Sequence, residues 1–473
     1  MSKYNGTIDA EYDLIVIGAG PGGYLAAEEA GKHGLKSLII EKVYWGGVCL
    51  NVGCIPTKAL LHASEEFHKV ANGSLEALGF SYDKESAKLD WTKLNEQKSK
   101  TVNKLTSGVK MLMKGAKVEA IQATAEFLDS HTVKANDKVY RGKYMIYAMG
   151  GHSRRLTLPG FEEAYKLGKV VTSTSLINYP TQPETLTIIG GGVIGVEFAQ
   201  VFANAGTKVT ILQNLDRVVA QLDKDVTDEL QKHLKSKGVE FVFNTTIKAF
   251  ENDEVVYEKD GQEFRIKSDV VLASVGRVPN TGFISETGVE LGSRGEILVN
   301  DMLQTNVENV YAIGDITAQN MLAHVAYKHA IVAVYDILRK ENKTERVITY
   351  NPTTVPACIY TDPEIANVGM TENKAKELQL PYITAKYNYG FVGKAIAAHK
   401  DYGFAKLVIN KENGKILGAE IVGANSTDMI AEIALLMDKE LTIFDLADTI
   451  HPHPTFNEII WETARQAVHK LGK

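Results

Sequence analysis

Two thiols separated by four residues carry the first chemistry in this sequence: Cys49 and Cys54, in Gly46-Gly47-Val48-Cys49-Leu50-Asn51-Val52-Gly53-Cys54-Ile55-Pro56-Thr57-Lys58. The glycines let the backbone bend until the sulfurs reach bonding geometry. Pro56 suits the first turn of a helix running on through Ala59, Leu60, Leu61 and Ala63. Cys54 then lies at the positive helix end, where a thiolate is stabilised. Two other readings stand beside a redox pair: buried apolar cysteines, or two ligands of a metal site. A metal needs further Cys or His at ligand spacing, and His62 and His68 are poorly arranged for it, so no metal is expected.

Two glycine clusters offer a second chemistry. Gly18-Ala19-Gly20-Pro21-Gly22-Gly23 follows an apolar run, Leu14 to Ile17, and precedes a helix-like stretch, Tyr24 to Lys32. Glycines there allow a tight turn and the close approach of a pyrophosphate, whose charge the helix N-terminus meets. Glu41 ends the next strand, Ser37 to Ile40, where a carboxylate can accept ribose hydroxyls. Gly190-Gly191-Gly192-Val193-Ile194-Gly195 repeats the design, with Gln213 in place of the acid. Glutamine can hydrogen-bond a ribose hydroxyl but has no charge to repel a 2′-phosphate, so NAD over NADP is a preference only. Arg217 is four residues beyond Gln213, and the lack of an adjoining arginine favours NAD.

The elements that would hold these groups repeat with them. An apolar run, a glycine cluster and a helix recur at Leu14 to Glu29 and at Leu186 to Ala203, which reads as two dinucleotide-binding βαβ units. Between them Thr92 to Lys114 has helical periodicity, and Pro159, Gly160, Pro180 and Pro183 punctuate the entry to the second unit. Runs at Val209 to Leu212, Glu240 to Phe243, Val255 to Glu258 and Val270 to Val275 suit one sheet, with helices such as Lys224 to Lys237 on its faces. From Asn351 the chain turns β-rich (Phe404 to Asn410, Ile416 to Val422), then helical at Thr427 to Met437 and Glu458 to Lys470. The fold class is therefore α/β, two Rossmann-like domains plus an α+β C-terminal domain.

Length and composition agree. A chain of 473 residues has room for about three domains. Lysine and arginine (52) against aspartate and glutamate (58) give a net charge of -6 with the signs interspersed, which excludes a basic stripe for nucleic acid or an anionic membrane. Apolar runs have strand length, far below the roughly 20 residues that span a bilayer. Three cysteines argue against an extracellular disulfide framework and for a reducing compartment with one working pair. The polar start, Met1 to Asp13, resembles no leader, and a cytoplasmic address is expected.

The segment GGVCLNVGCIPTKALL closely matches the active-site signature of the pyridine nucleotide-disulfide oxidoreductases, and the resemblance covers essentially the whole chain. Ala312-Ile313-Gly314-Asp315 resembles that family's second flavin motif, and Ser274-Val275-Gly276-Arg277-Val278-Pro279-Asn280 its exit motif from the nicotinamide domain. The resemblance implies that Cys49 and Cys54 form the redox disulfide, that Lys58 approaches the flavin N5, and that Glu197 pairs with Lys58. It implies FAD contacts at Gly18, Gly20, Gly23, Glu41, Gly47 and Lys58, and at Ala125, Gly150, Asp315 and Ala323. For NAD it implies Gly190, Gly192, Gly195, Gln213, Gly276 and Arg277. Three domains follow: an FAD domain over 1–150 completed by 281–350, an NAD domain over 151–280, and a dimerisation domain over 351–473. Met149 replaces the family's usual threonine, and Ala125 stands where a glycine commonly touches the adenosine. Both bear on local FAD contacts.

Ile450-His451-Pro452-His453-Pro454-Thr455-Phe456-Asn457-Glu458 resembles the family's terminal His-x-x-x-x-Glu, matched by His453 and Glu458. A dithiol must lose a proton before it attacks a disulfide, and histidine is suited to take it, with Glu458 fixing the tautomer. His451 reads as packing or orientation. In the family this histidine reaches the cysteines of the neighbouring subunit, so a homodimer is implied. Family members differ in substrate, and here absences inform: after Cys358, itself read as a buried apolar residue, there is no cysteine, and no arginine pair follows Gln213. With His-Pro-His-Pro-Thr these features lie closest to the lipoamide-oxidising members. The lipoyl arm would come from another protein, the E2 of a 2-oxoacid dehydrogenase complex or a glycine cleavage H protein. The alternatives are an NADPH-dependent glutathione-type reductase and a flavoprotein assembly subunit with catalysis lost, against which the retained Cys49, Cys54, Lys58, His453 and Glu458 speak.

Overall fold

A computed structural model describes residues 4–472. The first apolar run becomes the strand Ala10–Ile17, buried along Leu14, Ile15 and Val16, with parallel neighbours on both sides. Ser37–Glu41 flanks it on one side and Lys138–Tyr147 on the other, so Ile17 lies level with Ile40 and Tyr147. A strand flanked on both sides and covered on both faces is apolar throughout rather than alternating, as Leu-Ile-Val-Ile is here. Far along the chain, Val310–Ala312 returns to pair in parallel with Met145 to Tyr147 and completes the same seven-stranded sheet. Glu126–Phe127 and Thr132–Ala135 add an antiparallel meander to it, which the sequence reading did not separate out.

The second unit is a five-stranded parallel sheet in the order Glu240–Val242, Lys208–Leu212, Thr185–Ile189, Val270–Ala273, Val170–Val171. One expectation is corrected: Val255 to Glu258 is not in this sheet. It belongs to the strand Glu254–Lys259, which pairs antiparallel with Thr246–Glu251 and Gln262–Lys267 in a separate three-stranded sheet. The tight turns Asn252-Asp253 and Asp260-Gly261, all at positive φ, make these hairpins.

From Ala357 onward five antiparallel strands form the C-terminal sheet, with Ile416–Val422 between Ile365–Gly369 and Phe404–Asn410. Helices Ser426–Asp438 and Glu458–Lys470 bury Ile430, Ile433, Ile459 and Ala464 against it. The units meet at an apolar cluster that joins Leu60 and Leu61 to Phe198, Phe202 and Ile359. They also meet at charge. Lys406, 3 % exposed, places its ammonium 2.7 Å from Asp223, 2.8 Å from Asp225 and 3.0 Å from Glu420. Those three carboxylates could hold a metal ion by their spacing, but the lysine nitrogen already occupies the position between them. Among the described residues no helix is long and apolar enough to cross a membrane.

Candidate active site

Cys49 lies in a short helix, Gly47–Val52, and Cys54 opens the long helix Cys54–Ala71. Gly46 (φ 89°) and Gly47 (φ 64°) turn the chain into the first helix through the left-handed region that favours glycine. Gly53 accepts from both the backbone N–H (3.1 Å) and the hydroxyl (2.7 Å) of Thr57, which anchors the start of the second. Both sulfurs are free thiols; Cys49 is half-buried and Cys54 is open to solvent though ringed by protein. The two share a hydrogen bond that splits their acidities. It lowers Cys54 to about 7, helped by the Lys58 charge and the Cys54 backbone N–H against burial and Glu197. The same bond, with burial, pushes Cys49 up. Cys54 is therefore the more acidic thiol of the two.

Lys58 is one helical turn beyond Cys54, so it shares that face. Its Nζ donates to both oxygens of Glu197 at 2.9 and 2.7 Å, across from the helix Val193–Asn204. Glu197 is 4 % exposed, and the ammonium compensates its buried charge. The Tyr24 and Tyr327 hydroxyls bond to each other at 2.5 Å and lie in the electrostatic reach of Cys49. Tyr360 places its ring under the Lys58 ammonium, 4.4 Å from the centroid. No spacing in the sequence signals any of these three tyrosines, because each comes from a different element.

The glycine turns have the shape their motif requires. Gly18 (φ 99°) has no room for a side chain, since a Cβ would sit 2.5 Å from the Ala148 carbonyl, and at Gly23 it would meet the Gly18 carbonyl at 1.8 Å. Gly20 differs: its Cβ would enter open space whose nearest atom is Gly47 Cα at 3.9 Å. That open space above the N-terminus of the helix Pro21–Lys32 fits a pyrophosphate. The second unit repeats it, with Gly190 and Gly195 closed by carbonyls of Ser274 and Gly190 and Gly192 open. Glu41 Oε2 accepts from Ala19 N at 2.7 Å, and its counterpart Gln213 accepts through Oε1 from Gly191 N at 3.1 Å. Each oxygen keeps a lone pair for a ribose hydroxyl.

Other expected residues fall nearby or between the two units. Gly150 takes φ 66°, and its carbonyl accepts from Asn280 N at 3.0 Å. Gly276, at φ 109°, accepts from Arg154 N at 2.9 Å. Arg277, expected with the nicotinamide group, donates to Asp315 of the flavin group at 3.0 and 3.2 Å and to Gly151 O at 2.6 Å, so it ties the two groups together. Ala125 and Met149 pack against the apolar cluster around Ile15 and Tyr147, and Ala323 begins the helix Ala323–Lys340. Cys358 is half-buried, 3.9 Å from the Thr427 carbonyl, with burial raising its thiol to about 11.

At the far end His453 Nδ1 bonds to Glu458 Oε1 at 2.7 Å, and Glu458 Oε2 accepts from Thr455 N at 2.8 Å. Burial opposes it, but the hydrogen bonds from His453 and Thr455 hold the Glu458 carboxyl below its usual range. The His453 side chain is 75 % exposed, presenting Nε2 outward from this chain. His451 is the reverse, buried with Nδ1 3.0 Å from Thr449 O and Nε2 3.2 Å from Glu432.

Residues 12–330 match the pyridine nucleotide-disulphide oxidoreductases, and residues 355–464 match that family's dimerisation domain. The chain belongs to the pyridine nucleotide-disulphide oxidoreductases. Within the family it is 44 % identical to the dihydrolipoyl dehydrogenase of Mycoplasma pneumoniae, over 97 % of this chain and 98 % of that one. It is 40 % identical to the dihydrolipoyl dehydrogenase of Geobacillus stearothermophilus, over 98 % and 97 %. Among solved structures, the Cu(II) complex of the HOCl-induced flavoprotein disulfide reductase RclA from Escherichia coli superposes with a TM-score of 0.84 at 25 % identity, over 96 % of this chain and 99 % of that one. The protein is thus an oxidoreductase whose cofactors are FAD and NAD.

Proposed function

We infer that this chain works as a dihydrolipoyl dehydrogenase, oxidising protein-bound dihydrolipoamide to lipoamide at the Cys49/Cys54 pair. The observation that carries the reading is the split thiol pair: one sulfur poised as a thiolate at a helix start, beside the Lys58–Glu197 ion pair. His453, oriented through Nδ1 by Glu458, takes a proton at Nε2 from one substrate thiol. The resulting thiolate attacks Cys49 Sγ of the oxidised pair; the Cys49–Cys54 bond breaks and Cys54 leaves as the more stable thiolate. The second substrate sulfur, once deprotonated, closes on the first and displaces Cys49, so the cyclic disulfide departs and two electrons remain with the protein thiols. Bound beside the thiols, FAD would supply a two-electron acceptor for them and NAD a hydride acceptor.

The chain's own residues provide the holding. Gly18, Gly20 and Gly23 with Gly47 would cradle the FAD pyrophosphate, Glu41 its ribose, and Lys58, Ala125, Gly150, Asp315 and Ala323 the remainder. Gly190, Gly192, Gly195, Gln213 and Gly276 would hold NAD, with Arg277 bracing Asp315. The FAD unit spans 1–150 completed by 281–350, the NAD unit 151–280 and the interface unit 351–473. Exposed on its own chain, the His453 ring serves the cysteines of a second copy, so the working unit is a cytoplasmic homodimer. Its lipoyl arm comes from a separate carrier, the E2 of a 2-oxoacid dehydrogenase complex or a glycine cleavage H protein.

Steady-state rates with dihydrolipoamide and NAD or NADP, set against glutathione disulfide with NADPH, test the assignment. Turnover of dihydrolipoamide with NAD supports it; faster turnover of glutathione disulfide overturns it.

A further inference from the structure

We propose that Tyr360 is a positioning residue for this reaction: reaching in from the C-terminal unit, its ring and its main-chain N–H together fix the Lys58–Glu197 ion pair beside Cys54. The ring lies under the ammonium at 4.4 Å, and the Tyr360 N–H donates to Glu197 Oε1 at 3.1 Å, so one residue grips both members of the pair. Two residues on, Asp362 N donates to Gln200 Oε1 at 2.7 Å. Glu197 and Gln200 are one turn apart on the helix Val193–Asn204, and Tyr360 and Asp362 lie two residues apart on the bend that leaves the strand Ala357–Ile359 and docks on it. Asp362 is held from its other side by Lys400 at 3.0 Å and by the Tyr402 hydroxyl. The tyrosine is thereby anchored before the contact by the paired strand Ala357–Ile359 and beyond it by Asp362.

Packing does not account for its place, because Tyr360 remains 41 % exposed while its ring face is given to the lysine. A lysine on a four-carbon stem swings freely unless something beyond one carboxylate confines it. The face of an aromatic ring does so, and the effect strengthens where water is thinned out. Lys58 is one of the groups that hold Cys54 acidic, so a displaced ammonium returns the thiol toward its ordinary value. Tyr360 thus acts through Lys58 and makes a property of the sulfur pair depend on the docking of a distant part of the chain.

The inference rests on Cys54 as the working thiolate, and its test is independent of turnover. Holoenzyme reduced anaerobically with borohydride is labelled with iodoacetamide across pH, and Cys54 modification is followed by mass spectrometry, which separates it from Cys49 and Cys358. The wild type is expected to reach half its limiting rate at about pH 7. Tyr360→Phe keeps the ring and the midpoint. Tyr360→Leu raises the midpoint by about half a unit to one unit, which slows labelling at pH 7 about two- to fivefold. Lys58→Met raises it too, and adding Tyr360→Leu to Lys58→Met moves it no further. A Tyr360→Leu midpoint equal to the wild type overturns the proposal, as does an additive shift in the double variant, which would put Tyr360 on a route that bypasses the lysine. Failure of the underlying redox assignment would show differently, as no gain of two titratable thiols on reduction.

Discussion

A histidine that must take a proton from a thiol works only if the correct ring nitrogen is bare, and at His453 that is settled by one oxygen 2.7 Å away. Glu458 stays ionised through the neutral range because His453 and Thr455 donate to it, and its charge favours the imidazolium formed once the substrate thiol has been deprotonated. Glu458→Gln keeps a hydrogen-bond acceptor but removes that charge. With dihydrolipoamide, kcat/KM is expected to fall by about 10² to 10⁴, while bleaching of the flavin by NADH, which does not involve His453, proceeds at the wild-type rate. Equal loss in both half-reactions would place Glu458 in the scaffold instead.

At the scale of elements the turn glycines divide into two kinds, and substitution separates them. Gly23→Ala would drive a Cβ to within 1.8 Å of the Gly18 carbonyl inside the turn, so the strand and helix could not close, and the variant is expected to be largely insoluble. Gly20→Ala meets only Gly47 Cα, in ordinary contact at 3.9 Å. Its methyl enters only the space above the helix start, so the apoprotein should melt as the wild type does yet bind FAD at least about tenfold more weakly, the equivalent of about 1.4 kcal/mol. Normal flavin affinity in Gly20→Ala would refute the cradle. These turns were legible in the sequence because the chemistry is local: six consecutive residues, a strand before and a helix after. The Cys49/Cys54 helix start and the His453–Glu458 pair were legible for the same reason. Tyr360 and the Arg277–Asp315 link were not, since each contact joins residues from separate units with no period between them. The misplaced strand Glu254–Lys259 had a strand's pattern, but nothing local said which sheet it would join.

Across the whole molecule the NAD unit and the C-terminal unit are fastened by a buried ammonium among three carboxylates, and the count of charges makes that fastening sensitive to acidity. Asp223, Asp225 and Glu420 bring three negative charges; Lys406 brings one positive, and Lys386 reaches Asp225 from the side at 3.0 Å. One acid is in excess. Glu420, 1 % exposed, is the one that yields: burial pushes its carboxyl up to about 7 from an ordinary 4.5, even though Lys406 pulls it down. A carboxyl whose folded value exceeds its unfolded one contributes stability that is fully present below pH 4.5 and lost as pH rises through 7. Glu420→Gln should therefore gain on the wild type in urea denaturation as pH climbs through that window, and a parallel pH profile would refute the assignment. Lys406→Met tests the cation. Removing one partner from a buried cluster typically costs about 3–5 kcal/mol, so at neutral pH the variant should lose that much stability and recover part of it on acidification, when the carboxylates can take up protons in its place. A loss independent of pH would mean that the lysine contributes through packing alone.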